Sequence, residues 1–458
     1  GNNQVFGGSG ALIASVGNGD NYLEGGLGGY DLSAGDGDNT LYGVGWAGGG
    51  LSCGLSAGNG DNQFIVDDDF SGTVGLSCGT GSDTLTIRDA TGSPPDISES
   101  AWEPAFYVQG CGYIDCSEAL PLGLDLESGT TVALPSPPNG TNFANVTVGN
   151  NTTLDLGQAS VTLGSLALNG GTVENGSVTA DGYSLQGTET VSADLGGDGG
   201  LEVTGTGTVT LTGTNSYTGG TDIEGGTLVV GSSSALGDSA GPLTVNGGTL
   251  DLAGNSITVG SLSGYPGGTI TDNSDGSGTT TLTVAEAADT WFGGTIEDGQ
   301  SGQDRQTLAL VMDGAGTLVL TGANSFTGGA QIDEGALQVG DGTTDGSLAG
   351  NVAVESGGTL VFDVAAVDQY MGQISGDGAV TVDGYGTVFL NAEQNTYSGG
   401  TAVDSGILEA LAPAALPSYD TPNSDITVAA GAGRVGRGAT RGVVRRWRGE
   451  RVVVRSAA

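Results

Sequence analysis

From Asn145 to Ala430, apolar and polar residues alternate in short runs such as Thr208-Val209-Thr210-Leu211 and Thr249-Leu250-Asp251-Leu252. A period of two sends successive side chains to opposite faces, so each run predicts a short strand with an aliphatic inner row and a polar outer row. The runs are punctuated by Gly-Gly-Thr followed by an aliphatic residue, with the second glycine at Gly226, Gly248, Gly268 and Gly294 and outliers at Gly171 and Gly358. Steps of 22, 20 and 26 residues suit one turn of a three-sided parallel β-helix with glycine corners. Residues 1–87 keep a shorter rhythm: GNGDNYL from Gly17, GDGDNTL from Gly35, GNGDNQF from Gly58 and GTGSDTL from Gly79, in steps of 18, 23 and 21. With Gly25-Gly26-Leu27-Gly28 between the first two, glycine turns recur about every nine residues, which predicts two turns and two strands per coil.

A longer unit is written three times: GTVTLTGTNSYTGGTDIEGGTLVVG from Gly207, GTLVLTGANSFTGGAQIDEGALQVG from Gly316 and GTVFLNAEQNTYSGGTAVDSGILEA from Gly386. The copies start 109 and 70 residues apart, several coils rather than one. Tyr217, Phe326 and Tyr397 are therefore equivalent without stacking on one another. Asn215, Asn324 and Asn395 read as corner residues whose amides cap local backbone. The fold class expected is all-β, a parallel β-solenoid with a β-roll-like N-terminal part.

Composition fits this frame. With 91 glycines, 5% aromatic residues and two methionines the chain is poorly suited to globular cores, but stacked coils need only a thin aliphatic line, for which 36% hydrophobic residues suffice. The net charge is −42, there is no histidine or lysine, and eight of the ten arginines lie within residues 434–458. An acidic body repels nucleic acid and anionic lipid, so no nucleic-acid partner is expected. No apolar run approaches the ~18 residues needed to cross a bilayer as a helix, and with neither an initiating methionine nor a leader the chain reads as an internal or processed fragment. Cys111-Gly-Tyr-Ile-Asp-Cys116, lacking histidine or CxxC, makes a poor zinc site, so a Cys111–Cys116 disulfide and an oxidising compartment are expected. Cys53 and Cys78 share the setting Leu-Ser-Cys-Gly, but glycine-turn alignment puts Ala57 opposite Cys78, and that bridge stays open.

The N-terminal motifs resemble, in degenerate form, the hemolysin-type calcium-binding nonapeptide GGxGxDxUx. The resemblance implies calcium at the aspartate two residues after the last glycine, a position held here by Asn21, Asn39, Asn62 and Asp83. Asp20, Asp38 and Asp61 supply carboxylates one residue out of register, so Asp20, Asp38, Asp61 and Asp83 are the calcium candidates. The other reading is that Gly-Asp-Asn makes tight turns, with no cofactor required.

The phrases GTLVLTGANSFTGGAQIDEGALQVG, GTLDLAGNSITVGSLSG and TWFGGTIEDGQ closely resemble the autotransporter-associated β-strand repeat of bacterial type V secreted proteins, over roughly residues 160–430. This implies a right-handed parallel β-helix, export to or beyond the outer membrane, and a structural or adhesive role with surface glycans or other cell-surface proteins as partners. The tail from Arg434 departs from that pattern and reads as a frameshifted or disordered end, or else as a basic anchor for anionic lipopolysaccharide. The organisation expected is a β-roll-like solenoid over 1–87, a Pro-rich junction with the cysteine pair over 88–140, a repeat solenoid over 141–433 and the basic tail over 434–458.

An enzyme would need different material. Asp67-Asp68-Asp69 offers clustered carboxylates and Arg88 and Arg305 are the only cations of the body, but with no histidine or lysine a nucleophile has no evident base. A non-enzymatic extracellular rod is expected, of about 18 coils stacked at roughly 4.8 Å. The competing expectation is a carbohydrate-binding or carbohydrate-cleaving β-helix, which needs exposed aromatics; Trp46, Trp102, Trp291 and Tyr107 are its candidates.

Overall fold

The computed structural model describes residues 1–43, 51–67, 72–77, 84–88, 105–109, 113–116, 123–127, 131–133, 142–299, 306–392, 394–410, 416, 426–429 and 434–437. Among them every regular element is a strand, and the ladders between strands are parallel. The chain divides into two compact units, Gly1–Gly219 and Gly220–Ala458.

In the first unit the strands feed two sheets in turn. One runs from Gln4–Phe6 through Tyr22–Glu24, Thr40–Gly43 and Gln63–Asp67 to Thr208–Leu211; the other runs from Leu12–Ser15 through Tyr30–Ala34 and Leu51–Ala57 to Gly200–Val203. The glycine rhythm sets the register: Tyr22 pairs with Thr40, Thr40 with Gln63 and Gln63 with Thr84, which are the predicted steps of 18, 23 and 21. Leu23, Leu41 and Phe64 therefore stack as one fully buried column. Gly37 shows why the turn needs glycine. Its φ is 130°, and a Cβ there would stand 2.6 Å from the carbonyl of Gly19 in the coil before.

Segment 88–140, expected as a junction, contributes Ala105–Gln109, Tyr113–Cys116, Gly123–Glu127 and Thr131–Ala133, which pair in parallel with strands on both sides. These strands occupy the stretches between its prolines, where every residue can donate to a ladder.

In the second unit Thr227, Thr249, Thr269 and Thr295 are successive register partners or start the equivalent strands, at the steps read from the Gly-Gly-Thr marker. Leu228, Leu250, Ile270 and Ile296 follow them inward with no exposure. The three-sided coil is realised from Pro242 to Met312, where each turn visits three sheets, as in Pro242–Val245, Thr249–Asp251 and Ile257–Val259. From Thr317–Leu320 to Gly358–Phe362 each coil has two strands, and a third sheet then starts at Val367–Tyr370. The first residues of the basic tail, Arg434–Arg437, form a strand paired with Ile407–Ala410, so the ladder extends past the change in composition.

The long repeat acts at one corner. Asn215, Asn324 and Asn395 are buried, and each Oδ1 accepts the N–H of a residue in the coil before: Leu195, Ile296 and Ile374, at 2.9, 2.9 and 2.8 Å. The next residue serves the other backbone polar group of that same residue, since Ser216, Ser325 and Thr396 donate their N–H to the carbonyls of Leu195, Ile296 and Ile374. One Asn-Ser or Asn-Thr pair thus satisfies both polar groups of a buried residue. The following aromatic is fully buried in all three copies. Its hydroxyl is matched to its surroundings: Tyr397 bonds Thr401 Oγ1 at 2.7 Å, whereas Phe326, without a hydroxyl, is followed four residues on by buried Ala330.

Carboxylates cap other corners. Glu189 Oε1 accepts the N–H groups of Gly170, Gln186 and Gly187, and Asp298 accepts those of Leu308 and Thr327. Burial pushes the Glu189 pKa up against those hydrogen bonds. Asp368 is pushed up to about 6, first by burial and then by the nearby Asp345 charge.

Thr401→Ala removes a partner of the Tyr397 hydroxyl and should cost about 1 kcal/mol, and Tyr397→Phe should cost less in that background than alone; strict additivity in denaturant melts would show that the hydroxyl pair is not coupled. Because the folded pKa of Asp368 lies above the unfolded value of about 4, the native state holds more protons between about pH 4 and 6 and loses stability as pH rises through that window. Asp368→Asn should therefore raise the stability at pH 7 by about 1 kcal/mol after allowing for partial exposure, read as a higher melting midpoint, with the gap closing by about pH 4. A gap independent of pH would assign the effect to something other than this carboxyl.

Candidate functional site

The Gly-Asp-Asn turns of the first unit build two parallel columns with opposite characters. Asn3, Asn21, Asn39 and Asn62 form a side-chain ladder in which each Nδ2 donates to the Oδ1 of the next coil's asparagine, at 2.7, 2.7 and 2.8 Å. Each receiving Oδ1 also accepts the backbone N–H of the asparagine below, at 3.1–3.2 Å. The second amide hydrogen turns back to the turn's own carbonyls, from Asn39 to Gly35 and Gly37 and from Asn62 to Gly58 and Gly60. Asn21, Asn39 and Asn62 are at most 3% exposed, so this is a polar core that hydrogen-bonds itself.

Asp20, Asp38 and Asp61 stand beside the ladder on the exposed side, stacked coil upon coil. Here the backbone donates to the side chain: Asp38 N–H to Asp20 Oδ1 at 3.1 Å and Asp61 N–H to Asp38 Oδ1 at 2.9 Å, with Asn2 Oδ1 receiving Asp20 N–H. A parallel row repeats this through Asn18, Asp36 and Asn59. Among the described residues the donor set does not fit the nonapeptide calcium row. The family's ligand position holds neutral amides already used in the ladder, and among the described residues no three acidic or cysteine side chains gather around a common point. Asp83 lies outside the described residues.

Of the other sequence candidates, Cys53 is a buried free thiol whose Sγ accepts the Tyr30 N–H at 3.3 Å, and burial pushes its pKa up. Its register partner is Val74, so pairing with Cys78 finds no support in the strand alignment. Cys116 ends the strand Tyr113–Cys116, while Cys111 and Cys78 lie outside the described residues, as do Asp68, Asp69, Arg305, Trp46 and Trp102. Asp67 lies opposite Arg88 at the end of a ladder, and Tyr107 falls within Ala105–Gln109. Trp291 is half-buried and packs edge-to-face against Tyr265, with ring centroids 5.9 Å apart. Tyr265, which sequence reasoning passed over, is 67% exposed; only its place in a turn, next to Pro266, marked it. Among the described residues no helix is long and apolar enough to cross a membrane.

The family match falls on the coils that carry the Asn corner. The passenger-associated-transport-repeat family matches residues 201–230, 310–339 and 380–410. Each match begins inside the strand before the repeat, Gly200–Val203, Thr307–Met312 or Ala379–Val382, and ends with the last residue of Thr227–Val230, Gly335–Val339 or Ile407–Ala410. The chain is also similar to a protein described as "Adhesin BmaC autotransporter" from Brucella suis biovar 1 (strain 1330), at 32% identity over 199 residues. That match covers 36% of this chain and 5% of the relative, so the chain spans a small part of that protein's length. No solved structure matches. The chain therefore carries three passenger-associated-transport repeats, each set in parallel β-solenoid coils.

Proposed function

We propose that the protein is a non-enzymatic adhesive passenger, displayed on the outer surface of a bacterium or released from it, whose repeated coils present their outer faces to glycans or proteins of another surface. The observation that carries this reading is the threefold passenger repeat, supported by the likeness to an autotransporter adhesin. The chemistry is consistent with it. The chain has no histidine or lysine, and Asp20, Asp38, Glu189 and Asp298 each accept backbone N–H groups that a coil leaves open, a holding role rather than a catalytic one. A solenoid gains outer surface with every coil while each coil adds its own share of core, which suits a molecule whose work is contact.

In this proposal the first coils are held by the Asn ladder and need no calcium. Asn39→Ala interrupts the ladder within a buried row and should cost about 2–3 kcal/mol from the donors and acceptors left unmet. Millimolar calcium should leave the melting midpoint of the wild type unchanged; a rise that disappears in Asp83→Ala would restore calcium as a structural ligand.

The adhesive reading is tested with the purified chain coupled to beads and presented to cultured epithelial cells. Bead retention several-fold above that of beads carrying an unrelated acidic protein is expected, without reducing-sugar release from pectin, alginate or similar polysaccharides. Retention equal to the control would overturn adhesion, and sugar release would replace it with the enzymatic alternative.

A further inference from the structure

Among the described residues most aromatic side chains are internal, and Tyr217, Phe292, Phe326, Phe362 and Tyr397 have no exposure. Tyr265 and Trp291 break that habit together in the second unit, as Phe6 and Tyr22 do near the start of the first. Trp291 occupies an outward position, because its neighbour Phe292 faces the core and the pairing of Phe292 with Gly264 sets Trp291 beside Ser263 on the outer face. The indole lies across Gly293, where a Cβ would stand 2.7 Å from its six-membered ring and 3.0 Å from Pro266 Cδ. A glycine at that position is what lets the ring lie down against the backbone beside the proline, and Tyr265 then meets it at an interplanar angle of 67°. Two large rings are thereby held in fixed positions at the surface of the coil.

Their surroundings are polar and able to both donate and accept. Ser263 shares its outer row with Thr244, their hydroxyls 3.3 Å apart. Asn246 accepts the Tyr265 N–H and donates to Glu224 Oε1 at 2.7 Å, so the amide and the exposed carboxylate are oriented next to the tyrosine. A surface edge-to-face aromatic pair bordered by hydroxyl, amide and carboxylate groups matches the two-faced chemistry of a sugar ring: C–H bonds on one face, hydroxyls around the edge.

We infer that Trp291 and Tyr265, with Ser263, Thr244, Asn246 and Glu224 around them, form a binding platform for a neutral hexose-containing glycan. Charge selects the neutral class. The nearby ionisable groups are Glu224 and Asp289, both exposed, and the buried Glu286, which accepts from Leu262 N–H and Thr290 Oγ1; with the chain as a whole at −42, sialylated, sulfated or uronate-rich chains are repelled. A cationic peptide would be attracted to any part of such a surface and would not require an ordered aromatic pair. The inference rests on the adhesive reading and names the class of ligand for it.

The test uses the full chain against immobilised cellohexaose, maltohexaose and lacto-N-neotetraose, with sialyllactose and oligolysine as charged controls. Binding of at least one neutral oligosaccharide is expected, insensitive to added salt, about tenfold weaker in Trp291→Ala, as for loss of a central aromatic anchor, and weakened several-fold in Tyr265→Ala. Tyr385→Ala, which removes an exposed ring elsewhere in the second unit, should bind as the wild type does. Trp291→Phe keeps a packed ring and should retain part of the affinity, separating loss of the platform from loss of fold. Failure of every neutral oligosaccharide to bind at millimolar concentration, or equal binding by Trp291→Ala, overturns the platform. Salt-sensitive capture of oligolysine alone overturns it in favour of a cationic partner. If the beads still adhere to cells in any of these cases, the adhesive function stands without this site.

Discussion

The structure depends on one constraint: the backbone polar groups of every coil must be met by the next coil in register. Strands satisfy this automatically, since parallel ladders consume their N–H and C=O groups. Corners do not, and that is where the informative side chains are found. Asn215, Asn324 and Asn395 reach back to a peptide in the preceding coil, Glu189 gathers three N–H groups, and the Asn3-to-Asn62 ladder carries the pattern through side chains. Leucine, valine and isoleucine supply the apolar burial, but the corner residues decide that coil follows coil in only one alignment.

The same constraint explains how so acidic a chain can fold. Asp20 and Asp38 are exposed and bonded to backbone N–H groups, so their charge is solvated on one side and compensated by peptide dipoles on the other. Where the column turns inward, the residue is a neutral asparagine. Charge is placed on the outside and amides inside, and a ladder of amides avoids the like-charge repulsion that stacked carboxylates would meet at coil spacing. The exceptions among the described residues are Glu189, Asp251, Asp272, Glu286 and Asp298, buried carboxylates that each accept backbone N–H groups, and burial raises the pKa values of Glu189 and Glu286.

In the proposed adhesive function, contact falls on what the coil architecture leaves unused, the outward positions between corners. Most hold threonine, serine and other small polar residues that leave the ladder undisturbed. The pair formed by Tyr265 and Trp291 differs because its rings are ordered by local packing and yet remain open to solvent. Such a surface feature can vary from coil to coil without cost to the core, which is how a uniform solenoid acquires a specific contact.

The sequence by itself determined the fold class and the coil register, because both follow from glycine spacing and the period of two: steps of 18, 23 and 21 and of 22, 20 and 26 reappear as strand pairings. It also marked Asn215, Asn324 and Asn395 as corner caps, since identical residues at identical places in a repeat meet identical backbone needs. It did not show which carbonyl or N–H each would serve, because that partner lies some 20 to 28 residues away in the neighbouring coil. The Gly-Asp-Asn motif held the asparagine ladder in plain view, yet the motif is equally compatible with metal-binding turns; only stacking shows that asparagine faces inward and aspartate outward. Tyr265 and Trp291 are 26 residues apart in the chain and become neighbours only when two coils close upon each other. Local periodicity is written along the chain, whereas pairing across coils depends on where each turn ends, and that is decided in three dimensions.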